Sequence, residues 1–190
     1  MSLIDKVISA VVPEPSAEKK AEVRAEARAM SGGTGWLADV LDHHERIEAA
    51  FATVRSCANA ADRRAAQQWL ATLLTGHSLA EEAVLYPAMA LGDHKAHSAE
   101  AYTEQAGAKV QIAGLDDLDP MSQDYIDKLD HLESAISMHV YREESDWFPE
   151  LQRSGATLLQ TKLTARFQEE FSRYMGTEME QESAFGAVGA

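Results

Sequence analysis

Apolar residues return along this chain every three or four positions, the period of one face of an α-helix, and nowhere keep the period of two that marks a strand. Leu3, Ile4, Val7, Ile8, Val11 and Val12 predict a short amphipathic helix that stops at Pro13-Glu14-Pro15. A mostly polar helix over 16–30 follows, with Ser16 as its N-cap and Gly32-Gly33 as its stop. Four longer stripes come next: Gly35 to Ala58, Asp62 to about Leu91 with a break near Pro87, His94 to Leu115, and Ser122 to about Leu151. Asp119-Pro120 closes the third of these, and Ser122 or Asp124 caps the fourth. A last helix, Thr157 to Met175, places Leu159, Leu163, Phe167 and Phe171 on one face. The small, polar tail from Gly176 is expected to fray.

Four long amphipathic helices with short connections predict an all-α fold, an antiparallel up-down-up-down four-helix bundle. The bundle spans 36–151, with an N-terminal helical extension over 1–35 and a C-terminal helix and tail over 152–190.

Polar residues interrupt these stripes, and the interruptions carry the chemistry. Side chains that meet at the centre of a bundle must lie on its apolar stripes. On the first long helix the stripe is Leu37, Val40, Leu41, Ile47, Phe51 and Val54, and His44 falls within it. His43 lies ~100° further round and is set aside. On the second, His77 and Glu81 fill the gap between Leu70, Leu73, Leu74 and Val84, Ala88. On the fourth, His139 and Glu143 fill the gap between Leu129, Leu132, Ile136 and Trp147, while His131 lies off the stripe and is expected at the surface. Two buried carboxylates facing one another would be expelled or protonated unless something neutralises them. A cation does so directly, and His and Glu one helical turn apart can reach one ion or bridge two. The competing reading is a buried His–Glu hydrogen-bond network without metal; two such pairs together with His44 weigh against it.

Composition narrows the partners. Acidic residues outnumber basic ones by 31 to 17, a net charge of -14 that disfavours nucleic acid and anionic membrane surfaces. No apolar run approaches the ~20 residues of a membrane span. Asp5 and Lys6 interrupt the apolar start and no basic stretch precedes it, so a secretory signal is not expected and the chain reads as cytoplasmic. A lone cysteine, Cys57, excludes an internal disulfide and thiolate metal sites, and its small neighbours predict a packed helical filler.

Three segments resemble the hemerythrin-like, His-His-Glu cation-binding family. They are Leu41-Asp42-His43-His44-Glu45, then His77 and Glu81-Glu82 followed by Leu85-Tyr86-Pro87, then His139 and Glu143-Glu144 followed by Trp147-Phe148-Pro149. The parallel endings hint at an internal repeat of helix pairs, and the resemblance covers about 36–151. It implies a non-haem di-iron centre in which His44, His77 and His139 are terminal ligands and Glu81 and Glu143 bridge. The same donor types also accept zinc or manganese.

The third long helix departs from this pattern, because Gln105 stands where the resemblance implies a histidine. Three outcomes are open. Gln105 binds weakly through its amide oxygen; Glu104, Tyr102 or a register-shifted His97 substitutes; or the second metal position is weak or open. His97 lies ~12 Å along and ~80° round from Gln105, which argues against it. His94, near the loop, reads as a surface or capping residue.

Family members variously carry oxygen, sense oxygen or iron, or respond to oxidative and nitrosative stress. Loss of the third-helix histidine disfavours oxygen carriage and favours sensing or buffering of iron, dioxygen or nitric oxide. An oxidase or peroxidase-type enzyme using an open metal position is the first alternative. A metal-free interaction module is the second, with the Leu3–Val12 and Phe167/Phe171 helices docking a partner protein.

Overall fold

The fold is described for residues 14–91 and 95–176 of a computed structural model, and these are helical almost throughout. In chain order the elements are α1 (Ala17–Ser31), α2 (Gly35–Ser56), α3 (Ala60–Ala80), a π-helical turn (Glu81–Leu85) and α4 (Tyr86–Leu91). After them come α5 (Lys95–Ala113), α6 (Gln123–Arg142), a second π-helical turn (Glu143–Trp147), α7 (Phe148–Ser154) and α8 (Thr157–Met175). Among the described residues there is no strand, and no helix is long and apolar enough to cross a membrane.

Local chemistry sets the helix ends. Ser16, Asn59 and Ser122 each accept a hydrogen bond from the backbone N–H three residues on, satisfying an otherwise orphaned donor. Gly32 closes α1 in the left-handed conformation at φ 63°, which costs a glycine little.

The four long helices form a ring: α2 packs on α3, α3 on α5, α5 on α6, and α6 returns to α2. Trp36, Leu70, Tyr86, Tyr125, Phe148 and Phe167 are fully buried in its core. Two helices cover the outside. α1 lies on α2, α7 and the second π turn, and α8 lies on α2, α3 and the first. At Gly76, a Cβ would come within 2.8 Å of Met175 Sδ, so the missing side chain lets α8 approach α3 just before His77.

Where a break near Pro87 was expected, the helix continues through a π turn. A helical proline offers no N–H and its ring collides with the carbonyl four residues back. In both continuous rods, α3 through α4 and α6 through α7, the residue before the proline bonds five residues back instead, from Tyr86 N–H to Glu81 O and from Phe148 N–H to Glu143 O. Each π turn thus begins at one of the two central glutamates, and such single-turn bulges often mark functional sites.

Several local expectations change. Cys57 is no packed filler; it ends α2 half-buried, with its Sγ donating to Thr53 O at 3.2 Å. Leu159 is 42% exposed, and Met175 instead completes the buried face of α8. The Leu3–Val12 segment, His94 and the tail beyond Gly176 lie outside the described residues.

Candidate metal centre

Five polar side chains meet where the stripes predicted. His44, from α2, is 0% exposed, as are Glu81 and Glu143 at the two π turns; His77 on α3 and His139 on α6 are also buried. One ligand atom each from His44, His77, Glu81 and Glu143 all lie within 4.8 Å of one another. His139 joins from the far side, its Nε2 3.2 Å from Glu143 Oε1. His44 Nε2 stands 3.3 Å from Glu143 Oε2, yet neither atom has a hydrogen-bond partner, and Glu81 Oε1 has none either. Three buried polar atoms left without a hydrogen-bond partner, on residues whose ligand atoms cluster within 4.8 Å, form a donor set suited to a cation, because orphaned polar atoms at such depth are otherwise costly.

Two of the histidines are oriented by carboxylates behind them. His44 Nδ1 lies 2.8 Å from Glu144 Oε1, and Glu144 is held in turn by Arg24 of α1 at 2.9 and 3.1 Å. His139 Nδ1 lies 2.8 Å from Glu104 Oε2, and Arg142 grips that same carboxylate. Carboxylates in this position fix the tautomer and aim the opposite nitrogen, Nε2, at the centre. His77 has no such partner, and its Nδ1 is unpaired.

The charges are divided unequally. Burial opposes a charge on His44, but the carboxylates of Glu143 and Glu144 beside it outweigh burial and raise its pKa to about 9. Burial likewise opposes ionisation of Glu143, yet His139 and His44 hold its pKa below the ordinary carboxylate value. Glu81 moves the other way: burial first, then the charge of Glu143, pushes it well up. His77 is driven well down by burial and by its neighbours His44 and His43.

The remaining sequence-predicted residues take different places, some at the cluster and some away from it. His131 is exposed, as expected. His97 stacks on Trp147 at 5.8 Å and sits 3.9 Å from Asp146 and 3.8 Å from Glu150. Tyr102 donates to Glu82 O at 2.7 Å. Gln105 does point inward, but with its amide nitrogen, which donates to Glu81 Oε2 at 2.6 Å and to the Tyr86 hydroxyl at 2.5 Å. His43, set aside by the stripe, is 8% exposed; α8 covers it, with the Phe171 ring centroid 3.8 Å away and Phe167 at 5.5 Å. Burial lowers its pKa to about 3.

Residues 37–151 match the hemerythrin HHE cation-binding domain. The chain belongs to this family. No curated protein and no solved structure matches it. The matched span opens and closes within the bundle rods, so Arg24 on α1 and the α8 cover of His43 are contributed from outside it.

Sequence reasoning missed Glu144, Arg24 and Tyr86. Glu144 follows Glu143, ~100° off the stripe, and lies buried between Arg24 of α1 and His44 of α2. Tyr86 is five residues from Glu81, ~140° round an ideal α-helix. The extra residue of the π turn brings it back to the same face, where its hydroxyl reaches Glu81 Oε2 at 3.1 Å and Glu143 Oε1 at 2.9 Å. The available signal was the Leu85-Tyr86-Pro87 ending itself.

Proposed function

We propose that this hemerythrin-family chain holds a non-haem di-iron centre on His44, His77, Glu81, His139 and Glu143, and uses it to sense iron, dioxygen or nitric oxide. The observation that carries the reading is that ligand atoms of His44, His77, Glu81 and Glu143 lie within 4.8 Å of one another while His44 Nε2, Glu81 Oε1 and Glu143 Oε2 are buried without a hydrogen-bond partner. A cation placed among them satisfies all three and removes the repulsion between the carboxylates. Iron so bound would supply a reversible redox change and an affinity for small diatomic ligands. The chain's own residues supply the setting. Glu144 and Glu104 aim the imidazoles, and the two glutamates balance the ionic charge.

Burial favours sensing over turnover of a larger substrate. All five side chains are buried, and two hollows among the described residues, of about 430 and 400 Å³, are lined by none of them. A diatomic gas needs little room to reach such a site.

The test is direct. Protein purified without a metal-binding tag is assayed for metals by elemental analysis, and its absorption spectrum is recorded in air and after exposure to nitric oxide. Two irons per chain with charge-transfer bands that change with the gas are expected. Absence of bound metal, with a melting temperature unmoved by added ferrous ion, would sink the reading.

A further inference from the structure

The Tyr86 hydroxyl lies in the middle of the second half of the cluster. It is 2.9 Å from Glu143 Oε1, 3.1 Å from Glu81 Oε2 and 3.3 Å from His139 Nε2, and its residue is 0% exposed. A hydroxyl has one proton to donate, so it cannot satisfy all three neighbours as a donor. Four lone-pair atoms at these separations are, however, what the edges of a metal coordination shell require. Bonds of 2.0–2.2 Å from oxygen and imidazole nitrogen place neighbouring ligand atoms about 2.8–3.6 Å apart in octahedral or tetrahedral geometry. The other donor pairs of the centre show the same spacing, His77 Nε2 to Glu81 Oε2 at 3.3 Å and His139 Nε2 to Glu143 Oε1 at 3.2 Å.

We propose that Tyr86 is a metal ligand, completing a second cation position with His139, Glu81 and Glu143 in place of the histidine that α5 lacks. The proposal rests on the reading of the cluster as a metal centre and adds a donor to it. It makes the site two-sided, with His44 and His77 on one flank and His139 and Tyr86 on the other, the two glutamates lying between. As the oxygen–metal bond forms, the phenolic O–H bond breaks and the proton leaves to solvent, as for any anionic ligand. Gln105 then has a defined part: its amide N–H, 2.5 Å from the Tyr86 oxygen, donates to the phenolate it faces. That explains why an amide nitrogen, rather than an amide oxygen, points inward from α5.

The internal repeat supplies a control. Phe148 holds the place of Tyr86 in the second rod and is fully buried against Trp36 at 5.6 Å, so phenylalanine is tolerated before the proline of such a turn.

The experiment uses the full chain, stripped with a chelator, reloaded with ferrous ion under argon, desalted, and then exposed to air. Iron is counted by elemental analysis, and resonance Raman spectra are excited in the visible absorption band. The wild type is expected to hold two irons and to show ring modes of an iron-bound phenolate, which shift when the protein carries ring-deuterated tyrosine. Tyr86→Phe should lose those modes and the second iron while keeping the first and its far-ultraviolet circular dichroism. The double variant Tyr86→Phe, Gln105→His should regain the second iron without the phenolate modes. Iron-loaded wild type lacking tyrosine modes, or Tyr86→Phe retaining both irons with an unchanged visible spectrum, would overturn the proposal and leave the metal centre standing. Wild type that takes up no iron at all would overturn both. The isotope shift in the wild type decides the matter even if a variant folds poorly.

Discussion

The α3 rod and the α6 rod carry the same ladder: a histidine, a glutamate four residues on, a π turn that begins at that glutamate, and an aromatic residue before a proline. Their surroundings then separate them. Glu143 stands between His44 and His139 and keeps its charge, whereas Glu81 faces Glu143 and is pushed towards its neutral form. The residue after each glutamate diverges as well. Glu144 is buried between Arg24 and His44, while Glu82 pairs with Lys109 near the surface. Even the aromatic partners differ, since Tyr86 reaches the centre with a hydroxyl and Phe148 packs on Trp36. A repeated ladder fixes where ligands stand; the helices laid against each rod fix the charge each ligand carries.

The largest effect that would break this comparison concerns the two glutamates in metal-free protein. Glu143→Gln strips the charge that balances His44 and His139, and should cost about 3–5 kcal/mol of stability, as expected when one partner of a buried ionic group is removed. Glu81→Gln replaces an acid already biased to its neutral form, and should cost no more than about 1 kcal/mol. Urea denaturation of both variants after chelation checks this, and equal losses would show the charge to be shared evenly. Both variants should bind iron poorly.

Next in size is the contrast between the following glutamates. Glu144→Ala should weaken metal affinity about 10–100-fold, the usual cost of removing a carboxylate that orients a ligating histidine. Glu82→Ala should leave affinity within about twofold, because its carboxylate pairs with Lys109 and orients none of the histidines. Competition with a calibrated chelator measures both.

Smaller effects sharpen the assignment of the spare histidines. His43→Phe keeps an aromatic ring against Phe171 and Phe167, so stability should change by less than about 1.5 kcal/mol with metal content unaltered. If it emptied the site, His43 rather than His44 would be the ligand of α2. His131→Ala, at an exposed position, should fall within about 0.5 kcal/mol of wild type by thermal melting.

Much of this molecule was legible in the chain, for identifiable reasons. Helical periodicity located α1, α2, α5 and α8 to within a few residues, and ran α3 and α6 on through the π turns that end them, since burial of one face repeats along every turn. The same stripes placed His44, His77, Glu81, His139 and Glu143 together, and the structure buries all five, with ligand atoms of His44, His77, Glu81 and Glu143 within 4.8 Å of one another and His139 against Glu143. The stripe rule failed where a helix has more than one buried face or departs from its regular turn. His43 is buried because α8 adds a second contact face to α2. Tyr86 enters because a π turn shifts its angle.

By itself, then, the sequence determined which elements form and which polar residues their apolar faces must enclose, because both follow from local periodicity. What only the tertiary structure decided was the company each residue keeps: Arg24 and Glu144 behind His44, Glu104 behind His139, Gln105 and Tyr86 across the glutamates. Those partners come from residues up to 120 positions apart. Their pairing depends on how covering helices settle on the bundle, a matter of packing between elements on which the period of any single helix is silent.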